Sequence, residues 1–172
     1  MVYYLVMFGS FVLVIVAVFS VILSYMDSKR MRAFISAKAL KEHLDVIVRF
    51  IVGQAHKQYN DTVSGSQLQE LADRYSGLKK NRDALEIIPL ANSIVSLYNS
   101  LEISVSMQND AGVRGELSDA LEIIGLLREE YNDSVESLNK QLNKRLQANL
   151  GRLFRMKKLE KLCDLSNLLS GV

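Results

Sequence analysis

The feature that most constrains this chain is the run of residues 1–26, which carries no charged side chain and consists mainly of valine, isoleucine, leucine and phenylalanine. At about 1.5 Å per residue, a helix of this length crosses the ~30 Å hydrocarbon layer of a bilayer. Its β-branched residues would favour a strand in water, but in lipid every backbone polar group must find a partner within the segment. The run therefore predicts a transmembrane helix. Tyr3, Tyr4 and Tyr25 lie near its ends, where an aromatic belt is expected.

The residues that flank this run bear on its cleavage and its orientation. A cleaved signal peptide is the alternative, but no basic residue precedes the run and no small-residue cleavage motif follows it. Residues 27–41 contain one acid, Asp27, and five cations: Lys29, Arg30, Arg32, Lys38 and Lys41. The positive-inside bias therefore predicts that the N-terminus is outside and that residues 27–172 form a cytoplasmic domain.

The spacing of apolar residues predicts that this domain is all-α. The chain has one proline, so long helices can run without interruption. Residues 28–59 carry apolar side chains three and four positions apart, which predicts a helix that continues from the membrane span. Its stripe comprises Ala37, Leu40, Leu44, Ile47, Ile51 and Ala55.

Turn-forming residues predict where the next helices begin. Asn60-Asp61 and the stretch 64–66 predict a break before a short helix over residues 66–78, with Ser66 as its N-cap. Residues 81–83 predict the start of another helix, in which Pro89 either kinks the helix or marks its first turn. The expected inner face of that helix comprises Leu85, Ile88, Ala91, Val95 and Tyr98.

The second half of the chain carries the strongest helix signal of the domain. Residues 101–107 alternate like a strand but have no partner strand, so they are interpreted as helical. Residues 109–112 predict a break, and residues 150–169 predict a final amphipathic helix. Between them, nearly four heptads of apolar residues predict a long helix in a bundle or a coiled coil. This stripe comprises Leu117, Leu121, Ile124, Leu127, Tyr131, Val135, Leu138, Leu142 and Leu146.

The sequence offers no pattern that predicts catalysis. His43 and His56 are thirteen residues apart and lie on different faces of one helix, so they cannot share a metal ion. Glu129 and Glu130 are adjacent and point in different directions. Cys163 is the only cysteine, which excludes an intrachain disulfide. We expect no enzymatic activity, no cofactor and, with a net charge of +2, no nucleic-acid partner.

A basic segment near the C-terminus allows two interpretations. Residues 144–161 hold seven cations, among them the candidate lipid-facing residues Arg152, Arg155, Lys157 and Lys158. These side chains could lie on an anionic membrane surface. They could instead be solvated or pair with the eight acidic residues of positions 110–136. The sequence favours the second interpretation, because most charge runs are solvated helix faces.

Three groups of residues resemble the motifs of the LemA family. The first-helix group is Leu40, Lys41, Asp45 and Ile47, and the long-helix group is Arg128, Tyr131, Asn132, Val135 and Asn139. A third group, Asn149-Leu150, Leu153-Phe154 and Lys157-Lys158, is similar to the closing stretch of that family. The chain departs from the family pattern at Val48-Arg49, Leu138 and Arg145-Leu146.

The resemblance implies an antiparallel helical bundle that is anchored in the bacterial inner membrane and has no established catalytic activity. A magnetosome-membrane protein belongs to the same family, so the organisation of an internal membrane is one implied specialisation. Tyr131, Asn132 and Asn139 suit packing better than chemistry, because a buried asparagine can bond to the backbone of a neighbouring helix and fix its register.

The expected function is that of a membrane-anchored scaffold or adaptor, which binds the lipid bilayer and protein partners of unspecified identity. A homo-oligomer is compatible with this expectation. The alternative is a non-catalytic subunit of a signal-transduction system, in which a continuous helix transmits motion from the membrane. A sensor should have an extracytoplasmic domain, and no residues precede the span to form one, which favours the scaffold.

Overall fold

The computed structural model describes residues 2–59, 62–78, 84–101, 111–165 and 168, and every regular element among them is helical. Five helices follow one another among these described residues, so the predicted all-α class is confirmed. Their bounds are α1 Val2–Tyr59, α2 Val63–Gly77, α3 Ala84–Ser100, α4 Ala111–Leu142 and α5 Arg145–Leu153.

Helix α1 is a single element of 58 residues, which confirms the predicted continuity between the apolar run and the next stripe. The six stripe residues between Ala37 and Ala55 are all buried. None of the most apolar 18-residue window of α1 is buried, and this helix is long and apolar enough to cross a membrane. Met26 is the first buried residue among those described. The environment of α1 therefore changes near residue 26, where the apolar run ends.

The core forms around the second half of α1. Helix α1 packs against α2, α3 and α4, α2 packs against α3, and α5 packs against α4. Large side chains with 1% exposure or less fill the space between these helices: Leu40, Leu44, Ile47, Ile51, Leu68, Ile87, Ile88, Ile94, Leu117, Ile124 and Tyr131. A smaller cluster of Met26, Leu138 and Leu142 lies at the end of the core that faces the apolar run.

Helix α2 begins earlier than predicted. The Thr62 side chain is its N-cap, since Thr62 Oγ1 accepts a hydrogen bond of 3.1 Å from the Gly65 N–H. Residues 64–66 therefore lie in the first turn, and the predictions of a break there and of Ser66 as the cap are wrong. The threonine cap provides a partner for an orphan N–H of the first turn, and the helix can start at Val63.

Helix α3 carries the predicted inner face, with Leu85 half-buried and the other four residues buried. Pro89 is the sixth residue of α3, so it does not mark the first turn. The predictions made for residues 60–61, 81–83, 102–107 and 109–110 lie outside the described residues. Ala111 and Gly112 belong to α4, so the predicted break at 109–112 does not extend to them.

The C-terminal quarter differs most from the prediction. Helix α4 ends at Leu142, and Leu146 lies on α5 with 51% of its surface exposed. Helix α5 ends at Leu153, and residues 156–165 form no helix. The prediction of one amphipathic helix over residues 150–169 is therefore wrong. We call residues 156–165 the strap, because they lie across α3 and α4.

Candidate functional site

Two asparagine side chains of α4 hold the strap by its backbone. Asn139 Nδ2 donates to the Leu159 carbonyl at 2.8 Å, and Asn139 Oδ1 accepts from the Leu159 N–H at 3.1 Å. Asn132 pairs with Leu162 in the same way, at 3.1 and 2.8 Å. Each amide thus satisfies both backbone groups of one strap residue.

The spacing of these pairs shows that the strap is extended. Asn132 and Asn139 are seven residues apart, which corresponds to about 10.5 Å along a helix axis. Their partners, Leu159 and Leu162, are three residues apart, so the strap advances by about 3.5 Å per residue, close to the limit for an extended chain. The strap runs antiparallel to α4, since its residue numbers rise as those of α4 fall.

Helix α3 holds the strap from its other side. Asn92 Nδ2 donates to the Lys161 carbonyl at 2.8 Å, and Asn92 Oδ1 accepts from the Cys163 N–H at 3.0 Å. The Tyr131 hydroxyl of α4 donates to the Glu160 carbonyl at 2.8 Å. Side chains therefore replace the backbone partners that a helix would have provided, and this accounts for the absence of a helix here.

Leucines of the strap and of its continuation enter the main core. Leu162, Leu165 and Leu168 are each 3% exposed, and Leu159 is half-buried against the same core. Full burial of one such side chain stabilises the fold by about 1.5–3 kcal/mol. These leucines are three residues apart, and the same interval separates Leu159 and Leu162, the two residues whose backbone is bound by Asn139 and Asn132.

Two ionic contacts set the position of the strap along α4. Glu136 contacts Lys161 of the strap and Lys140 of its own helix, with nitrogen–oxygen distances of 2.6 Å each. Hydrogen bonds from Lys140 and Lys161 lower the pKa of Glu136 to about 2. Arg128 contacts the Asp164 carboxylate at 2.7 Å. These groups are largely exposed, so the contacts favour one register more than they add stability.

Three tyrosine hydroxyls and the Cys163 thiol are held in their protonated form, because burial raises the pKa of each. Burial, and then the charge of Glu160, raise the pKa of Tyr131, so its hydroxyl remains a donor to the strap. Burial also raises the pKa of Tyr75, Tyr98 and the Cys163 thiol. A protonated thiol is a poor nucleophile. Among the described residues, no three His, Cys, Asp or Glu side chains are grouped to hold a metal ion.

The residues singled out from the sequence fall into two sets. Arg128, Tyr131, Asn132 and Asn139 meet at the strap, whereas Leu40, Ile47 and Val135 are buried in the core. Lys41 and Asp45 belong to the first-helix group on α1, and the charge of Asp45 contributes to the raised pKa of Tyr75.

The sequence reasoning missed Asn92 and the strap leucines. It also expected Asn132 and Asn139 to bond to a neighbouring helix, whereas their partner is a non-helical segment. The repeat of leucine at positions 159, 162, 165 and 168 is a sequence signal of a buried segment, but it does not distinguish an extended strap from a helix.

All seven cations of the basic segment are exposed, which agrees with a solvated segment. Arg152, Arg155, Lys157 and Lys158 are exposed. Within the described part of the chain, the one ion pair between residues 144–161 and the acidic stretch joins Lys161 to Glu136. Among the described residues, pairing with the acidic stretch therefore accounts for Lys161, and solvation accounts for the exposure of the other cations.

Helix α5 lies beside the end of the apolar run and exposes apolar side chains. A Cβ on Gly151 would lie 2.5 Å from Leu142 Cδ2 and 3.8 Å from Met26 Cε, so α5 packs closely there. Leu146, Leu153 and Phe154 are 51%, 75% and 50% exposed. A neighbouring cavity of about 730 Å³ is lined by cations from three parts of the chain and by two acids: Arg30, Arg74, Arg155, Lys157, Lys158, Glu86 and Glu160.

Taken together, the described residues form a groove that binds an extended backbone, and a basic, partly apolar surface near residue 26. Neither arrangement supplies an activated nucleophile or an acid–base pair. Comparisons of this chain with protein-family models, with curated proteins and with solved structures found no match.

Proposed function

We propose that this chain is a membrane-anchored helical adaptor of LemA type, which binds a protein partner at the cytoplasmic face of the inner membrane. Its apolar N-terminal run spans the bilayer with the N-terminus outside, and the other helices form an antiparallel bundle in the cytoplasm. The observation that carries the proposal is the continuity of α1, in which an exposed apolar run becomes a core helix without a break.

The boundary near residue 26 supports the membrane anchor. Most of the described large apolar side chains up to Tyr25 are exposed, Phe19, Ile22 and Leu23 are half-buried, and Met26 is the first that is fully buried. The Lys29 ammonium lies 5.6 Å from the centre of the Tyr25 ring. An aromatic ring beside a cation is typical of the interface between lipid and water. When the membrane span ends here, the rest of α1, from Met26 to Tyr59, is about 50 Å long and carries the bundle.

Helix α5 supports contact of the bundle with an anionic membrane surface. It lies beside Met26 and exposes Leu153, and Phe154 and the cations that follow the helix are exposed as well. Exposed apolar groups next to cations are the pattern of segments that lie in the headgroup layer. Each cation near an anionic surface contributes about 1 kcal/mol to such contact.

The orientation is tested by reporters fused after Val172. A reporter that is active only in the cytoplasm is expected to be active, and a periplasm-dependent reporter is expected to be inactive. The reverse result would place the bundle outside and overturn the adaptor proposal.

The surface contact is tested in full-length protein reconstituted into anionic or neutral bilayers. An environment-sensitive probe on Phe154→Cys, with Cys163→Ser, should shift to the blue in anionic bilayers only. Substitution of Arg152, Arg155, Lys157 and Lys158 by Gln should abolish the shift, and raised salt should weaken it. A probe on Val63→Cys, which follows the far end of α1, is the matched control. An equal response from both probes would contradict the contact.

The continuity of α1 also favours the second candidate, a non-catalytic subunit of a signal-transduction system. A rigid helix that joins the bilayer to the core could transmit a displacement. A three-glycine insertion after Lys29 would uncouple the two parts while it preserves the anchor. An adaptor should keep its partner after this insertion, whereas a signalling subunit should lose its response.

A further inference from the structure

Five exposed cations from three parts of the chain line the cavity of about 730 Å³ that lies near α5: Arg30 of α1, Arg74 of α2, and Arg155, Lys157 and Lys158, which follow α5. We infer that this basic cavity is a binding site for the headgroup of an anionic phospholipid. The inference rests on the proposed membrane contact and deepens it. Contact through α5 requires only a charged surface, whereas the basic cavity binds one lipid molecule.

The charge of the basic cavity favours an anion. Two acids, Glu86 and Glu160, lie among the five cations of its lining, so the net formal charge of the lining is +3. Within the described part of the chain, neither acid forms an ion pair with any of these cations, and the ion pairs found there join other residues. A phosphate group offers both the negative charge and the acceptor oxygens that clustered arginine and lysine side chains bind.

In the proposed topology, the basic cavity lies at the depth of the lipid headgroups. Arg30 follows Met26 by four residues, which correspond to about 6 Å along the helix axis. The headgroup layer adds about 5–8 Å to each side of the hydrocarbon core. A second cavity, of about 360 Å³, shares Arg30 and Leu85 with the first and extends to Asp27. The cavity lining therefore reaches the residue that directly follows the apolar run.

The apolar part of the lining favours a lipid over a soluble phosphate. It consists of Pro89 and four half-buried leucines: Leu78, Leu85, Leu90 and Leu159. Leu159 also packs against the cluster around Met26, at the end of the core that faces the apolar run. A phospholipid can place its glycerol and first acyl carbons against these leucines while its phosphate contacts the cations. Inorganic phosphate has no apolar part to bury there.

The conformation of Arg155 indicates a role for its side chain beyond the fold. Arg155 has a φ of 54° and caps α5, since its N–H donates to the Arg152 carbonyl at 3.2 Å and the Met156 N–H donates to the Gly151 carbonyl at 2.7 Å. These two bonds form a Schellman motif, in which glycine is the usual residue at the position of Arg155. Glycine would adopt this φ without steric cost, but it would provide no cation to the basic cavity.

The inference is tested by native mass spectrometry of the full-length protein, released from micelles of a neutral detergent. The spectra count the lipid molecules that stay bound while the lipid concentration is raised. Phosphatidylglycerol should bind as a single, tightly held molecule, whereas phosphatidylcholine, whose headgroup has no net charge, should bind much more weakly. Glycerol 3-phosphate, which lacks acyl chains, and a hexaglutamate peptide are added as competitors.

Arg74→Gln is the most informative variant, because Arg74 lies on α2 and outside the basic segment that includes α5. It should weaken the binding of phosphatidylglycerol about fivefold, and Glu86→Gln, which removes a negative charge, should strengthen it by a similar factor. Arg32→Gln should change little and is the matched control, since Arg32 is an exposed cation of α1 that does not line the basic cavity. Arg155→Gly should weaken binding as Arg74→Gln does, but without a lower melting midpoint in circular dichroism.

Equal binding of the two lipids, or equal weakening by Arg74→Gln and Arg32→Gln, would overturn the inference. Displacement of the lipid by an equal concentration of glycerol 3-phosphate would identify a soluble phosphate as the ligand, and displacement by hexaglutamate would identify an acidic protein segment. Either result would contradict a lipid site. A micelle has no inner and outer face, so all these outcomes are independent of orientation. They therefore remain distinguishable from a failed reporter test of the adaptor proposal.

Discussion

Replacement of Asn139 by alanine is the most direct perturbation of the strap. The substitution removes both hydrogen bonds to Leu159, from Nδ2 to the carbonyl and from the N–H to Oδ1. It leaves the α4 backbone unchanged, since alanine is a favourable helix residue. Asn149→Ala on α5 is the matched control, because Asn149 is an exposed asparagine on a helix.

The magnitude follows from the two lost bonds. A hydrogen bond contributes about 0.5–1.5 kcal/mol net, so Asn139→Ala should lower the free energy of unfolding by about 1–3 kcal/mol. In a chain of this size, 1 kcal/mol corresponds to a shift of about 2–4 °C in melting midpoint. The control should change the free energy by no more than about 0.5 kcal/mol.

Asn132→Ala should have a similar effect, but the two substitutions should not add. Both side chains hold one segment, so once the strap is released the second asparagine has no partner to lose. The double variant should therefore be destabilised by less than the sum of the single variants. Strict additivity would refute the view that the strap is held and released as one unit.

Reactivity of Cys163 gives a local measurement of the same event. Cys163 is the only cysteine of the chain, it is half-buried, and its N–H bonds to Asn92. Labelling by a thiol reagent should accelerate in Asn139→Ala and still more in the double variant, and it should not change in Asn149→Ala. An unchanged labelling rate in a variant with a lowered melting midpoint would show that the bundle loosens elsewhere.

Further expectations concern the core and the exposed ion pairs. Ile124 is 1% exposed and Ile123 is 38% exposed. In thermal melts, Ile124→Asp should lower the free energy of unfolding by about 3–5 kcal/mol, and Ile123→Asp should lower it much less. Equal effects would show that the buried face of α4 is assigned wrongly. The folded-state pKa of Glu136 is lowered from its ordinary value of 4.5 to about 2, so its contribution to stability is complete above pH 4.5 and is lost as the pH falls toward 2. The difference in melting midpoint between wild type and Glu136→Gln should therefore shrink over that range, and a constant difference would refute the ionic contact.

The helices could be predicted from the sequence because their determinants are local. The stripe from Ala37 to Ala55 repeats at the helical period, and all six of its residues are buried. The ends of the helices were harder to predict. Thr62 and Ser66 are both good N-caps, and the choice depends on which side chain meets a free N–H in the first turn. Likewise, Leu146 continues the apolar period of α4 although the helix ends at Leu142.

The bonding partners of Asn132 and Asn139 on α4 and of Asn92 on α3 could not be predicted, because these partners are distant in sequence. Asn139, Asn132 and Asn92 bond to strap residues that are 20, 30 and 71 positions away. A polar residue on a helix face indicates that something bonds there, but it does not specify a helix, a strand or a single extended segment as its partner. The expectation of a helical neighbour for Asn132 and Asn139 followed the commonest case.

The strap shows why a period of three was ambiguous. Leucines at positions 159, 162, 165 and 168 are spaced as on one face of a helix, since residues three apart are neighbours there. The same interval results when a helix holds an extended segment at points two turns apart, because about 10.5 Å then separates every third residue. The spacing of the leucines is the same in a helix and in an extended segment. The conformation of residues 156–165 is therefore determined by the surface against which they pack. Here that surface offers amides at positions 132 and 139 of α4 and at 92 of α3, which satisfy the backbone groups that a helix would otherwise pair internally.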